Sequence, residues 1–400
     1  MNCHKSNIYL YSLFIFLQMS GNKLNIQMVD LKSQYLKIKS QVDSAISEVI
    51  NSTQFINGSH VKGFQSELAN YMGVKHVISC ANGTDALQIA MMGLDLQPGD
   101  EVITPSFTYI ATTEVIALLG LKPVFVDCDP KTFNISVNEI EKAISSKTKA
   151  IVPVHLFGQS CNMNAIMDMA KKHNLFVIED NAQAIGCDYY GFSKIQKTGT
   201  IGNVGCTSFF PSKNLGCYGD GGALMTNDDE LAEKFRMIAN HGQSKKYYHD
   251  RVGCNSRLDN LQAAVLRIKL KELNNYIKSR LSAADYYDDY LKDSPYLDVP
   301  FRDSKSNHVF HQYTMKLNEG INRNELIQFL ASKNIPAMVY YPVPAHQQKM
   351  FSKTPAVVKN MRSTEWLSNR VISLPMHTEL SKLQQDFIIE NIITFLNNRK

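Results

Sequence analysis

A lysine set between an apolar run and a glycine-rich loop can do chemistry that a surface lysine cannot, and residues 208–222 contain one. They read Ser-Phe-Phe-Pro-Ser-Lys-Asn-Leu-Gly-Cys-Tyr-Gly-Asp-Gly-Gly, with Lys213 upstream of four glycines. Removed from water, its amine loses its proton more readily and becomes a nucleophile toward a carbonyl. Three other stretches complement it. Asn82-Gly83-Thr84-Asp85 has the composition of a phosphate-binding turn at a helix start, where backbone N–H groups and a hydroxyl face an anion. The same four residues also suit an ordinary turn with an N-cap. Pro105-Ser106-Phe107-Thr108-Tyr109 places an aromatic at a strand end, where Tyr109 can stack on a planar ring or pack in the core. Glu179-Asp180-Asn181-Ala182-Gln183 ends an apolar run in carboxylates. A buried Asp180 needs a cation or hydrogen-bond donors, and a protonated ring nitrogen is such a partner. Gln183 lies within reach of a neighbouring ring substituent, and Ser208 of the same phosphate as Gly83 and Thr84. The plainer alternative makes Asp180 a helix cap, with Glu179 turned to solvent or to a structural cation.

These residues require elements that bring their ends together. Apolar residues at Val42, Ala45, Ile46, Val49 and Ile50 recur at helical spacing, and a second helix is predicted over 61–72. Strand-like runs follow at 76–80, 101–105, 123–127, 150–156, 176–180, 207–210 and 223–226, separated by helical segments. That alternation predicts a mostly parallel sheet covered on both faces, an α/β architecture. A long helix is predicted over 259–280, with 282–291 as its continuation or partner. Beyond the composition shift at 295–307, strands at 309–317, 337–341 and 371–374, a helix at 323–332 and a closing helix around Leu383–Leu396 predict a smaller α+β unit. The expected division is a large domain over 26–280 and a small C-terminal domain over 281–400.

Composition narrows the function class. Four hundred residues, 44% of them hydrophobic, suffice for a large core, and 42 basic against 37 acidic residues leave a net charge of +5. No basic block resembles a nucleic-acid arm, and the mild excess suits an anionic small molecule. The eight cysteines, scattered without a Cys-x-x-Cys pair, read as reduced thiols in a cytoplasmic protein and offer no metal frame. Cys206 and Cys217, which flank Lys213, are expected to be packing residues. The apolar run 8–17 after Lys5 is too short to span a bilayer and lacks a clean cleavage site, so the expected explanation is a start at Met19 or Met28.

Five ordered motifs, Gly83-Thr84-Asp85-Ala86-Leu87, Pro105-Ser106-Phe107-Thr108-Tyr109, Glu179-Asp180-Asn181-Ala182-Gln183-Ala184, Ser208-Phe209-Phe210-Pro211-Ser212-Lys213 and Asn255-Ser256-Arg257-Leu258-Asp259, resemble the DegT/StrS-type pyridoxal-phosphate nucleotide-sugar aminotransferases. The likeness runs from about residue 26 to the C-terminus, and residues 1–25 fall outside it. It implies fold type I, pyridoxal 5′-phosphate as cofactor, glutamate as amino donor, and a homodimer with shared active sites. By motif, Lys213 would bond the cofactor, Asp180 would pair with its ring nitrogen, Gln183 would touch the ring hydroxyl and Tyr109 would stack on the ring. Gly83, Thr84 and Ser208 would hold the phosphate, joined by Asn255 from the other subunit. The stretch Tyr340-Tyr341-Pro342-Val343-Pro344-Ala345-His346 resembles the family's substrate-facing segment, which makes Tyr341 and His346 substrate candidates. Residues 27–35, 155–159 and 247–250 resemble members that aminate a UDP-linked, N-acetylated 3-keto hexuronic acid for surface polysaccharide. Arg257 is the candidate cation for such a substrate, with Lys245, Lys246 and Arg251 nearby in sequence. Two other readings stand beside this one. A dehydratase of the same family carries histidine where this chain has Lys213, and a non-enzymatic nucleotide-sugar sensor would have no need of Lys213 and Asp180.

Overall fold

The computed structural model describes residues 24–398; Cys3 and the apolar run 8–17 lie outside them. Helices α1 (Leu31–Ser52) and α2 (Ser59–Met72) lead into β1 (His76–Cys80), α3 (Gly83–Gly93), β2 (Glu101–Pro105), α4 (Ala111–Leu118) and β3 (Lys122–Val126). Next come α5 (Val137–Ala143), β4 (Thr148–Ile151), α6 (Met163–His173), β5 (Phe176–Asp180) and the hairpin of β6 (Asp188–Tyr189) with β7 (Gln196–Lys197). Then follow β8 (Val204–Ser208), β9 (Gly222–Thr226), α7 (Asp229–Ile238) and a second hairpin, β10 (Gln243–Lys245) with β11 (Tyr248–His249). Helix α8 (Asn260–Leu291) precedes β12 (Leu297–Asp298), β13 (Tyr313–Leu317), α9 (Arg323–Ser332), β14 (Val357–Val358), α10 (Arg362–Ser368), β15 (Val371–Leu374) and α11 (Lys382–Asn397).

Eight strands form one sheet in the order β1-β9-β8-β5-β4-β2-β3-β14. Only β9 runs against its neighbours, β1 and β8; the other pairings are parallel. The carboxyl ends of β1, β8, β5 and β2 therefore share one edge, and β9 starts on that edge with Gly222 opposite both Cys80 and Ser208. Successive residues of a strand serve opposite faces. Val102, Ala150 and Ile178 pack with Ala86, Leu87 and Phe235 on one face. Their neighbours Ile103, Ile151 and Val177 pack with Ile140, Met163 and Ile166 on the other. Apolar side chains on both faces explain why these strands lack a polar alternation.

Several predicted boundaries move. The two helical stretches 259–280 and 282–291 are one helix of 32 residues. Its Leu266, Leu270 and Leu273 pack against Phe64 and Leu68 of α2, while Ala284, Tyr287 and Leu291 pack with Met315, Leu317, Ile372, Leu374 and Ile388. The expected strand over 309–317 begins only at Tyr313, because Phe310 takes a left-handed φ of 44° and the loop bonds to residues 157 and 158. The expected strand over 337–341 is a loop with one bridge, Met338 to Ser373. Its residues carry strand-like side chains but serve the site below.

Candidate active site

Asn82 caps α3: its side-chain oxygen accepts from Asp85 N at 2.8 Å, leaving the N–H groups of the first turn directed outward. Gly83 packs directly on the end of β8, since a Cβ added there would lie 2.7 Å from Ser208 Cβ. Gly222 approaches the same turn so closely that its Cβ would sit 2.3 Å from Asn82 O. Thr84 and Ser208 are half-buried at this contact, and Ser208 Oγ accepts from Phe210 N at 3.3 Å. Gly83 and Ser208 thus converge, with Thr84 next along the turn, although they come from opposite ends of the large sheet's sequence.

Asp180 closes β5 and is 6% exposed. Thr112 Oγ1 donates to its Oδ2 at 2.8 Å and Ala182 N to its Oδ1 at 3.1 Å. Burial pushes its carboxyl above the usual carboxylate range, against those two hydrogen bonds and the pull of Lys213. Lys213, half-buried, follows a tight turn in which its N–H bonds Phe210 O at 2.8 Å. Desolvation brings its ammonium down to about 8, with Asp180 holding it up from falling further. A carboxylate and an amine that each resist charging face one another electrostatically without forming an ion pair among the described residues.

Gln183 spans two loops: its Oε1 accepts from Phe157 N at 2.6 Å, and its Nε2 donates to the Tyr341 hydroxyl at 3.0 Å. Tyr341 thereby enters the site, with its ring centroid 6.2 Å from that of Tyr109, which is 58% exposed at the end of β2. His346 acts as a strut. Its Nδ1 pairs with Ser106 Oγ at 2.7 Å, its N–H donates to the same oxygen at 3.2 Å, and Nε2 faces Glu365 at 3.3 Å. Asn255 is exposed and bridges to Asn240, and Arg257 Nη1 donates to Asn240 Oδ1 at 3.1 Å. These two meet Asn240 and not the Asp180 group. Lys245 and Lys246 lie over the rings of Tyr248 and Tyr247 on the exposed β10–β11 hairpin, and Arg251 pairs with Asp95 at 2.5 Å.

Glu179 does not turn to solvent: fully buried, it accepts from Gly199, Ile201 and Gly202 N at 2.7–2.8 Å and from His155 Nε2 at 2.8 Å. His155 Nδ1 accepts from Cys161 N at 3.1 Å, which puts the ring proton on Nε2. Thr112 and His155 were not among the sequence candidates. Thr112 is legible only in retrospect, four residues from Thr108 with the two hydroxyls 3.2 Å apart. Cys206 and Cys217 are buried free thiols.

A model of the DegT/DnrJ/EryC1/StrS aminotransferase family matches residues 36–393. The chain belongs to this family. It is 45% identical over 374 residues to the pleiotropic regulatory protein of Geobacillus stearothermophilus, covering 93% of this chain and 99% of that one. Identity is 46% over 355 residues to the UDP-2-acetamido-2-deoxy-3-oxo-D-glucuronate aminotransferase of Pseudomonas aeruginosa (89% and 96% covered). It is 40% over 367 residues to the dTDP-3-amino-3,6-dideoxy-alpha-D-galactopyranose transaminase of Aneurinibacillus thermoaerophilus (92% and 98%). Among solved structures, a family aminotransferase from Brucella abortus superposes with a TM-score of 0.88 at 41% identity, covering 92% of this chain and 99% of that one. NtdA of Bacillus subtilis with bound cofactor PMP does so with 0.84 at 29% identity (94% and 86%). The DegT-family member described here has the α/β, mostly parallel fold type I and is a pyridoxal-phosphate-dependent sugar aminotransferase.

The residues fit that cofactor. Asp180 is a buried carboxylate with hydrogen bonds but no ion pair among the described residues, which a protonated ring nitrogen would supply, and the glycine contacts at Gly83 and Gly222 keep side chains out of the turn a phosphate would occupy.

Proposed function

We propose that this DegT-family enzyme moves the amino group of glutamate to the keto carbon of a UDP-linked 3-keto hexuronic acid carrying a 2-acetamido group, for surface polysaccharide. The observation that carries the catalytic part is the coupled pair of Asp180 and Lys213, one buried acid and one amine whose ammonium burial brings down to about 8, on the same sheet edge as the Gly83 turn. The substrate follows the 46% identical P. aeruginosa relative, whose name states that substrate class. Relatives acting on dTDP sugars, at 40% identity, supply the second reading.

When bound, pyridoxal phosphate takes up the electron pair left when a proton leaves the donor's α-carbon. Asp180 would hold the ring nitrogen protonated, Gln183 together with Tyr341 would meet the ring hydroxyl, and Tyr109 would cover the ring face. Gly83, Thr84 and Ser208 would hold the phosphate. Lys213 Nζ, whose ammonium burial brings down to about 8, would take the donor's α-proton as a base and give it up again, on the far side of the shared nitrogen, as an acid. Arg257 is the candidate for the sugar's anionic groups, and His346 sets the Tyr341 loop against Ser106. A second copy, served by the exposed Asn255, belongs to the same proposal, as does a cytoplasmic location. No helix of the described residues is long and apolar enough to cross a membrane.

The test is glutamate-dependent amination of UDP- and dTDP-linked keto-sugars, with and without a uronic carboxylate, followed by mass spectrometry. The expected best substrate is the UDP hexuronate, with Lys213→Ala inactive. Amine formation on dTDP sugars alone would transfer the proposal to the second reading. Absence of amine from every sugar would end it.

A further inference from the structure

Ser256 lies next to the exposed Asn255, yet its own side chain is fully buried and turned the other way, into the chain's own turn at 81–85. Its Oγ accepts from Ala81 N at 3.0 Å and donates to Asp85 Oδ2 at 2.6 Å. One hydroxyl therefore uses its donor and an acceptor site on the two flanks of Asn82-Gly83-Thr84. Its backbone is fixed as well, with Ser256 N bonded to Ala239 O at 3.0 Å just past α7. Within the turn, Asn82 Oδ1 takes Asp85 N at 2.8 Å, so Asp85 is held by main chain and side chain at once. Ser256 has no role in the mechanism above, and neither does Asp85.

We propose that Ser256 is a positioning residue for phosphate binding, which ties the two flanks of the turn at the start of α3 together through Ala81 N and the Asp85 carboxylate and so holds Gly83 and Thr84 in place. This rests on the reading of Gly83 and Thr84 as phosphate contacts. Two consequences separate the clamp from general packing. The effect of losing it is confined to ligands that carry the phosphate, because the ring site at Asp180 is built from β5 and α4. It also depends on Asp85 as acceptor, so the two residues act as one unit.

The experiment uses the full chain stripped of cofactor, with dissociation constants for pyridoxal 5′-phosphate and for pyridoxal measured by equilibrium dialysis and bound ligand fixed with borohydride and counted by intact mass. Ser256→Ala is expected to weaken pyridoxal phosphate roughly tenfold, the worth of a charge-assisted hydrogen bond, while pyridoxal changes by less than about twofold. Asp85→Ala should match it, the double variant should be no worse than either single one, and Asp85→Asn, which still accepts from Ser256, should stay near wild type. Should Ser256→Ala give no folded protein, the two Asp85 variants carry the test alone. Wild-type affinity in Ser256→Ala and Asp85→Ala, or equal losses for both ligands, would overturn the clamp. A wild-type chain that binds pyridoxal as tightly as its phosphate would instead overturn the phosphate reading, and the clamp with it.

Discussion

The acidity of Lys213 is the property on which the site's chemistry turns, and it can be measured without cofactor or substrate. Bringing the ammonium from 10.5 down to about 8 raises its neutral fraction at pH 7 by roughly 300-fold, since each pH unit is a factor of ten. Competitive trace acetylation of the cofactor-free protein, with the Lys213 peptide quantified by mass spectrometry between pH 6 and 11, should show reactivity rising tenfold per pH unit and levelling near pH 8. Asp180→Asn should move that midpoint lower, because the Asp180 charge opposes the desolvation. The same displacement has a stability signature. Between about pH 8 and 10.5 the unfolded chain holds the Lys213 proton and the folded chain does not, so stability rises with pH through that window. Below it the folded chain carries a constant penalty of ~3 kcal/mol, reduced to ~1–3 kcal/mol because the side chain is half-buried. Lys213→Met should then be the more stable protein by that amount at pH 7, with the advantage fading above pH 8 and gone near 10.5. A wild-type midpoint at pH 10 or higher, or no pH-dependent gap between the two proteins, would refute the reasoning.

Three further outcomes follow from single contacts. Glu179→Ala leaves His155 and three backbone N–H groups without their acceptor in a fully buried place, and should cost ~4 kcal/mol in denaturant unfolding; a loss under ~1 kcal/mol would contradict the packing described. Thr112→Val keeps the shape but removes the hydroxyl that lowers the Asp180 carboxyl's pKa, so the acid limb of the kcat profile should move to higher pH. An unchanged limb would take Thr112 out of the site. Gly83→Ala places a methyl 2.7 Å from Ser208 Cβ and should weaken pyridoxal phosphate at least tenfold in dialysis with no change in circular dichroism, while wild-type affinity would show that the turn can yield.

The parallel sheet, its strands at β1, β2 and β5, the helices α9 and α11 and the order of the site motifs could all be read along the chain. Each is a local matter: a hydrophobic period or a residue type at a strand end. Lys213 and Asp180 could be proposed for the same reason, as charged residues at or just beyond the ends of apolar strand-like runs. What the sequence could not determine depends on which elements lie side by side. The loop at 337–341 reads as a strand because side-chain type does not reveal that Tyr341 is needed by Gln183, 158 residues away. Glu179 and Asp180 are adjacent and chemically alike, yet strand alternation sends them to opposite faces, one to a structural nest with His155 and the other to Lys213. Thr112 and Ser256 acquire meaning only from the carboxylates opposite them. The sequence alone therefore determined the chemistry available, and only the tertiary structure decided which groups share a site, because hydrogen bonds and desolvation act over a few ångströms while the partners lie 24 to 171 residues apart.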